Sequence, residues 1–310
     1  MTARSSSFSA AAAMLLFLLG QGLFAQTKRE VLFLGNSYTA FNNLPQMVHD
    51  VAASVGDTLH HDSHTPGGYT FGAHSTDPTS NAKIMAGGWD YVVLQGQSQE
   101  SITDPSNFFS RGHALSDKVK DASPCSTVMT YMTWGRKNGN AGLCATFPST
   151  CNYALMDTTI RHSYLTLTEE LKAEVAPVSV VWHYLRNNHP DIELYTADGS
   201  HPSLAGSYAA ACCFYTTIFK KDPTLITFDN GLNAADAEAI RQAAKTEVFD
   251  RLSDWDFKEA PAADFWFTKG NGVNQVLFFP VRLAETYLWD FGDGSTSTKT
   301  YPNHAYASDG

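Results

Sequence analysis

The chain has 310 residues, of which 43% are hydrophobic and 12% aromatic, and its formal net charge is −10. A chain of this length and apolar content can bury a full core, with room for one medium domain and a small one, which excludes a disordered protein. Nucleic acids and anionic membranes are bound by clustered Lys and Arg side chains, so the acidic charge balance disfavours both as partners. A neutral ligand fits this balance better.

The first 25 residues are predicted to be an export signal peptide. Arg4 supplies a positive start, residues 10–24 form an apolar run, and Ala25 is the small residue that a signal peptidase prefers. The run is too short to predict a membrane span, and no later stretch is long and apolar enough to cross a bilayer. We therefore expect a mature protein that begins near Gln26 and is secreted or periplasmic.

Strand-like apolar runs alternate with helix-like stretches over most of the remaining chain. Such alternation predicts a doubly wound α/β fold, with a parallel sheet, right-handed crossovers and helices on both faces. Active sites of this architecture lie beyond the carboxyl ends of the strands. Predicted strands cover residues 31–34, 91–94, 127–131 and 178–182, with a weaker candidate at 58–64, and predicted helices cover residues 44–55, 107–121, 153–175 and 203–219.

Two motifs far apart in the chain carry the chemistry of acyl transfer. Ser37 follows the first predicted strand in the string Gly-Asn-Ser-Tyr, and Asp198 and His201 occur together in the string Asp-Gly-Ser-His-Pro. Taken alone, Ser37 would be explained as a helix-capping residue. Pro202 disfavours helical dihedrals at His201, which places this histidine on the turn before the next helix. A serine, a histidine and a carboxylate can act as nucleophile, base and orienting group, so we expect ester hydrolysis.

These motifs resemble the first and last blocks of the SGNH, or GDSL-like, hydrolases, with Asn36 where the older motif has Asp. The string Pro-Gly-Gly-Tyr-Thr at residues 66–70 is similar to the second block, whose glycine, here Gly68, donates a backbone N–H to the oxyanion. The resemblance covers residues 28–222. It implies a flavodoxin-like, doubly wound α/β domain that hydrolyses esters without a cofactor or a metal ion.

The third block departs from the family pattern, which usually has Gly-x-Asn-Asp. Here the predicted strand at residues 91–94 leads into Gln95-Gly-Gln97-Ser-Gln99. This string resembles the Gln-Gly-Glu of the acetylesterase branches, which act on acetylated xylan or sialic acid and use a Gln in the Asn role. A glutamine carboxamide offers the same N–H donor on a longer stem. Gln95 is the preferred oxyanion donor, and Gln97 and Gln99 are the alternatives.

The resemblance assigns a role to each site residue. His201 takes the proton of Ser37, Asp198 orients the imidazole, and the oxyanion is stabilised by the backbone N–H groups of Ser37 and Gly68 with the Gln95 amide. By the same resemblance, the expected substrate is an O-acetyl ester on a carbohydrate, or another small ester. The alternatives are a lipid or aryl ester hydrolase of the same fold and a non-catalytic glycan-binding or adhesion protein.

The sequence changes character at its C-terminal end. A linker begins at residue 259, which ends the predicted hydrolase domain of residues 26–258. The string Trp-Asp-Phe-Gly-Asp-Gly-Ser at residues 289–295, followed by Asn-His-Ala-Tyr, resembles the signature of PKD domains, which are small immunoglobulin-like β-sandwiches. Residues 259–310 are therefore predicted to be a linker and a partial PKD-like module, because the chain stops before the final strands. This module is a candidate glycan-binding element.

Five cysteines in an exported protein permit disulfides. Cys144 and Cys151 are the favoured pair, since they bracket a short loop in a segment rich in Gly and Asn. Adjacent Cys212 and Cys213 lie in an Ala-rich predicted helix and are interpreted as small buried apolar residues. Cys125 has no assigned partner.

Two other groups of residues are better explained by structure than by function. His60, Asp62 and His64 are of types that bind metals and would share one face of a strand. No fourth ligand follows at a familiar spacing, so a solvated strand edge is the preferred interpretation. Trp134 and Trp182 could line a sugar-binding cleft, yet aromatic residues beside strands mostly belong to the core.

Overall fold

The computed structural model describes residues 26–258, 265–269, 272–280 and 287–307. The predicted signal peptide lies outside the described residues, as do residues 259–264 of the predicted linker. The helices are α1 Ser37–Ala40, α2 Leu44–Ala53, α3 Phe71–Thr76, α4 Pro78–Ala86, α5 Glu100–Thr103, α6 Pro105–Ala122, α7 Tyr153–Leu171, α8 Val178–Asn188, α9 Leu204–Phe219 and α10 Ala234–Glu247. The strands are β1 Lys28–Leu34, β2 Thr58–His64, β3 Tyr91–Leu94, β4 Thr127–Tyr131, β5 Glu174–Ala176, β6 Phe265–Lys269, β7 Gln275–Pro280, β8 Trp289–Asp290, β9 Thr296–Ser297 and β10 Asn303–Ala305.

Five parallel strands form the central sheet in the order β2-β1-β3-β4-β5. Helices α2, α8, α9 and α10 pack together as one group, and α3, α4, α5, α6 and α7 form the other. A parallel strand covered on both faces needs a continuous apolar run, and residues 31–34 of β1 are accordingly all buried. This strand order is the flavodoxin-like one. The predicted α/β fold with a parallel sheet is confirmed.

One predicted strand is wrong. Residues 178–182 form the start of helix α8, and the fifth strand is the short β5, which overlaps the end of the segment predicted as helix 153–175. The Val-rich run fits a strand by composition, but Val178, Val181, Trp182 and Leu185 are buried at the spacing of one helix face. A short apolar run of this kind fits the hydrophobic periodicity of a strand and that of a helix, and here tertiary packing selects the helix.

The cysteines have three different environments. Cys144 and Cys151 form a disulfide, as predicted from their loop. Cys212 and Cys213 are fully buried in α9, a helix that is apolar on all sides and packs in the core. Burial raises the pKa of the Cys212 thiol to about 12, which leaves it protonated and unreactive at neutral pH. Cys125 is an exposed free thiol.

The described part of residues 265–307 contains only antiparallel strand pairs. Strands β10, β7 and β6 form one sheet, and β8 pairs with β9. Antiparallel pairing is what a small β-sandwich requires, whereas the assignment of this segment to the PKD domains stays a prediction.

The residues just before the predicted linker pack against the α/β domain. Trp255 is buried, and the backbone N–H of Phe257 donates to the Ala173 carbonyl oxygen at 2.9 Å. Lys258 forms an ion pair with Glu174, whose carboxylate is fully buried and lies 2.7 Å from the ammonium of Lys220. The contacts of the domain therefore extend to residue 258.

We expect a chain shortened to residues 26–258 to fold alone, because it keeps this packing and its own core. Thermal unfolding followed by circular dichroism should show one transition within a few degrees of the full-length protein.

A chain shortened further, to residues 26–247, is the matched control. It loses the burial of Trp255, worth roughly 3–5 kcal/mol for a large aromatic side chain, and should be clearly less stable. An unfolded 26–258 chain would contradict the predicted domain boundary.

Candidate active site

The turn after strand β1 is built around the side chain of Asn36. Its Oδ1 accepts the N–H of Tyr38 at 3.1 Å, which caps helix α1 and places Ser37 as the first helical residue. Its Nδ2 donates to the carbonyl oxygens of Tyr69 at 2.9 Å and Gly96 at 3.2 Å. One asparagine therefore joins the first, second and third sequence blocks at the carboxyl edge of the sheet.

The Gln95 side chain lies behind this turn, not in front of it. Its Oε1 accepts the backbone N–H of Asn36 at 2.8 Å and the Thr39 hydroxyl at 2.9 Å, its Nε2 donates to the Gly96 carbonyl oxygen, and the residue is fully buried. Gly35 lies against the same oxygen: a Cβ there would be 2.7 Å from Gln95 Oε1 and 2.4 Å from Thr39 Oγ1. With its carboxamide bonded inside the protein, Gln95 does not have the position expected of an oxyanion donor.

Ser37, His201 and Asp198 form a continuous chain of hydrogen bonds. His201 Nε2 is 2.9 Å from Ser37 Oγ, and His201 Nδ1 is 2.5 Å from Asp198 Oδ2. Asp198 Oδ1 accepts the N–H groups of Ser200 at 2.8 Å and His201 at 2.9 Å, and the Thr196 hydroxyl at 2.8 Å. Partial burial raises the pKa of Asp198, but these bonds outweigh it and hold that pKa well below the usual range. An ionised Asp198 favours the imidazole tautomer with its proton on Nδ1, which leaves Nε2 free to accept the Ser37 proton.

Aromatic contacts hold the histidine ring and its loop. The Phe41 ring stacks on the His201 imidazole with centroids 4.4 Å apart, and Tyr38 meets the imidazole edge-on at 5.4 Å. The Tyr38 hydroxyl is 2.7 Å from Ser200 Oγ, and Trp134 Nε1 donates to the Ser200 carbonyl oxygen at 3.1 Å. The loop that carries the histidine is therefore tied directly to the helix that carries Ser37.

Three aromatic rings stack below this loop. Tyr38 lies 4.9 Å from Trp134, and Trp134 lies 3.6 Å from Trp182, each pair being nearly parallel. Both indoles are fully buried, which confirms them as core residues that support the site from within.

A cleft of about 240 Å³ opens in front of Ser37. Gly68 has a φ of +73°, a conformation that favours glycine. Gln97 is held with its Oε1 accepting the N–H of Gln99 at 2.7 Å and its Nε2 donating to Ser98 Oγ at 3.1 Å, which leaves the second N–H of the amide available to the cleft. The lining residues are Asn36, Ser37, Tyr38, Gly68, Gln97, Ser98, Arg136, Ser200 and His201. Of the three glutamines of the third block, Gln97 is the one that lines the cleft. We therefore prefer Gln97 to Gln95 as the side-chain donor to the oxyanion.

Neither a protein-family model nor a curated protein matches the chain. Among solved structures it is similar to a DUF4886 family protein from Bacteroides uniformis, with a TM-score of 0.62 and 17% identity over 76% of this chain and 98% of that one. It is also similar to a candidate SGNH hydrolase from Slackia heliotrinireducens, with a TM-score of 0.53 and 27% identity over 62% of this chain and 99% of that one. The α/β domain has the SGNH hydrolase fold.

A third similar structure is an acetyl xylan esterase from Geobacillus stearothermophilus, with a TM-score of 0.40 and 14% identity over 61% of this chain and 94% of that one. A likeness this distant carries no argument about substrate. The comparisons therefore confirm the SGNH fold that the sequence blocks predicted, and they leave the PKD-like segment as a prediction.

Within the SGNH fold, Glu100 positions two of the cleft loops, a role that the sequence did not reveal. Its buried carboxylate accepts the backbone N–H of Phe71 at 3.1 Å and that of Gln97 at 3.1 Å. Burial raises the pKa of Glu100 despite these bonds. A single glutamate after a Gln-rich string gives no periodic signal, so only the folded contacts identify it.

His74 is a second supporting residue that the sequence analysis missed. Its Nε2 is 2.8 Å from the Gly35 carbonyl oxygen and its Nδ1 is 2.8 Å from Ser80 Oγ, so the imidazole braces the end of β1. The side chain is fully buried, and burial lowers its pKa to about 4. The imidazole is therefore neutral throughout the physiological range.

The predicted strand-edge histidines are explained by ordinary ion pairs. Within the described ranges, no group of three or more His, Cys, Asp and Glu side chains is placed to hold a metal ion. The ion pairs of β2 are His60 with Glu30, Asp62 with Lys83, and His64 with Asp77.

In the part of the chain that the structure describes, no helix has the length and apolar character needed to cross a membrane.

The buried imidazole of His74 predicts a loss of stability in acid. Below about pH 6.5 the unfolded chain takes up a proton at this position, but the folded chain does so only near pH 4. The free energy of unfolding should therefore fall by about 3 kcal/mol over this interval because of His74. In His74→Gln this component should be absent, and urea unfolding at pH 7, 6, 5 and 4.5 measures the difference.

Ser80→Ala is the control, because it removes one partner of the imidazole and keeps the imidazole buried. It should lower stability at every pH while retaining the acid slope. Identical pH slopes for the unmodified protein and His74→Gln would rule out this role for His74.

Proposed function

We propose that the protein is a serine ester hydrolase that releases a short acyl group, most simply acetyl, from a carbohydrate O-ester. The observation that carries the proposal is the hydrogen-bond chain from Ser37 Oγ through His201 to Asp198, with distances of 2.9 and 2.5 Å. This arrangement supplies a nucleophile, a general base and an orienting carboxylate in the geometry that acyl transfer requires. The SGNH fold of the domain supports the same reaction type.

The reaction has two steps. His201 Nε2 accepts the hydroxyl proton as Ser37 Oγ bonds to the ester carbonyl carbon, and the resulting tetrahedral intermediate expels the alcohol, which receives that proton. Water then attacks the acyl-serine with His201 again as base, and the carboxylic acid leaves as Ser37 regains its proton. Asp198 stays ionised throughout and stabilises the imidazolium formed in each step.

The oxyanion of each intermediate needs hydrogen-bond donors at the cleft. The backbone N–H groups of Ser37 and Gly68 and the Nε2 of Gln97 belong to residues that line it. Neither backbone N–H donates to an acceptor within the described part of the chain. We assign these three groups to the oxyanion hole.

The shape and polarity of the cleft favour a small acyl group and a polar alcohol. Eight of its nine lining residues are polar or glycine, and Tyr38 is the exception. A long acyl chain would need an apolar slot, so lipid esters fit poorly. The acetylesterase-like third block and the predicted export are the reasons for placing the ester on a carbohydrate outside the cytoplasm.

Ser37→Ala should remove nearly all esterase activity, a loss of several orders of magnitude, because the nucleophile is deleted from an otherwise intact turn. The thermal unfolding midpoint should change little. Acetate released from nitrophenyl acetate and from a panel of acetylated polysaccharides measures the loss.

Ser106→Ala, which alters an exposed serine of helix α6 outside the cleft, is the matched control and should keep the activity of the unmodified protein. Turnover by Ser37→Ala within about tenfold of the unmodified protein would reject the triad. A series of nitrophenyl esters from acetate to octanoate tests acyl length, and preference for octanoate would contradict the short-acyl part of the proposal.

Gln97→Ala should lower kcat by roughly a hundredfold and change KM little, since an oxyanion donor acts mainly as negative charge develops. Gln97→Glu keeps the acceptor for the Gln99 N–H but removes the donor, so it should lose at least as much. Steady-state kinetics on nitrophenyl acetate separate kcat from KM.

Gln95→Ala should behave differently, because it leaves the buried Asn36 N–H and Thr39 hydroxyl without their acceptor. Its main effect should be a lower unfolding midpoint. An unchanged kcat in Gln97→Ala would remove this residue from the oxyanion hole.

A further inference from the structure

Arg136 brings an unpaired positive charge to the catalytic cleft. It lies on the loop after β4, lines the cleft together with Ser37 and His201, and is half-buried. Its Nε is enclosed by protein and has no hydrogen-bond partner. Among the residues that the structure describes, no acceptor and no carboxylate pairs with this guanidinium.

Arg241, a strongly buried arginine of the described chain, shows the contacts expected of a structural arginine. Arg241 is 8% exposed, and its guanidinium donates to Asp229, to Glu238 at 3.0 Å and to the Tyr208 hydroxyl at 3.1 Å. Arg136 has none of these partners. No hydrogen bond or ion pair within the described part of the chain explains its position, so a purely structural role does not account for it.

The charges around Arg136 leave it free to bind an anion. No Asp or Glu is among the residues that line the cleft. Asp198 is already bonded to His201 and to two backbone N–H groups. The neighbouring Lys137 pairs with Glu193 at 2.5 Å. The residues that line the cleft therefore include the cation of Arg136 and no carboxylate, although the chain as a whole carries −10.

We infer that Arg136 is a specificity-determining residue and that the substrate is an acidic ester, with a carboxylate that pairs with the guanidinium while its acyl carbon lies at Ser37. A guanidinium offers two parallel N–H donors that match the two oxygens of a carboxylate. The cleft holds only a short acyl group, so the carboxylate belongs to the alcohol part, as in an O-acylated sugar acid. This inference rests on the proposed function and replaces the neutral ligand that net charge alone favours.

The test compares two substrates that differ only in charge: an O-acetylated galacturonic acid and its carboxamide, with released acetate as the readout. For the unmodified protein, kcat/KM should be about tenfold to a hundredfold higher for the acid, the range for a hydrogen-bonded charge pair. Arg136→Gln should bring the ratio close to one. Arg136→Lys should give an intermediate ratio, since lysine keeps the charge and loses the planar fork.

Arg111→Gln is the matched control. Arg111 is exposed, lines a neighbouring cavity of about 480 Å³, and is likewise without an ion-pair partner in the described ranges. This variant should keep the ratio of the unmodified protein. A hemisuccinate ester of a neutral sugar, with the carboxylate in its acyl part, should show no gain over the corresponding acetate.

Two results would overturn the inference: a ratio in Arg136→Gln equal to that of the unmodified protein, as when both substrates lose activity equally, or a ratio abolished by Arg111→Gln. A gain for the hemisuccinate would overturn the assignment of the carboxylate to the alcohol part. Hydrolysis of nitrophenyl acetate without any preference for the acid refutes this inference alone. No hydrolysis of any ester by the unmodified protein refutes the proposed function and this inference with it.

Discussion

The Oε1 of Gln95 joins the carboxyl ends of β1 and β3 by accepting the Asn36 N–H at 2.8 Å and the Thr39 hydroxyl at 2.9 Å. A buried carboxamide bonded in this way fixes the turn between β1 and α1, because breaking either bond leaves a polar group unsatisfied in the core. Asn36 then reaches the second and third blocks with its own amide. The position of Ser37 and the shape of the cleft both follow from this small buried network.

The second half of the site comes from the far end of the domain, and aromatic packing brings it into place. The side chains of Ser37 and His201 are separated by 164 positions in the chain, yet Tyr38 and Trp134 both hydrogen-bond to Ser200 next to the histidine. The stacked indole of Trp182 backs this contact from the core. Nucleophile and base are therefore held by packed rings, which restrict motion more than the loop backbone alone would.

Sequence patterns were sufficient for the residues whose role depends on local context. Ser37 and His201 belong to recognisable motifs, apolar runs located three of the five parallel strands, and the weaker candidate at residues 58–64 located a fourth. Selecting between Gln95 and Gln97 needed tertiary information, because both occupy the same loop and offer the same carboxamide, and only the contact with Asn36 separates them. The lack of an acidic partner for Arg136 could not be predicted from the sequence either, because the residues that surround a charged side chain come from elements distant in the chain. The prediction of a strand at residues 178–182 was wrong for a related reason. The hydrophobic pattern of this run fits a strand and a helix, and tertiary packing decides between them.

The site has two layers: buried residues behind the turn, which fix the position of Ser37, and residues that line the cleft in front of it. The two layers differ in how much sequence change they tolerate. At Gly35 any side chain would meet Thr39 Oγ1 at 2.4 Å, so the layer behind the turn tolerates almost no change. Arg136 lines the cleft and carries no such constraint, because no hydrogen bond or ion pair holds its guanidinium in the described part of the chain. A substitution at this position can change substrate choice while the reaction chemistry is kept. Relatives that share the turn can therefore differ in substrate specificity and keep the same mechanism of ester hydrolysis.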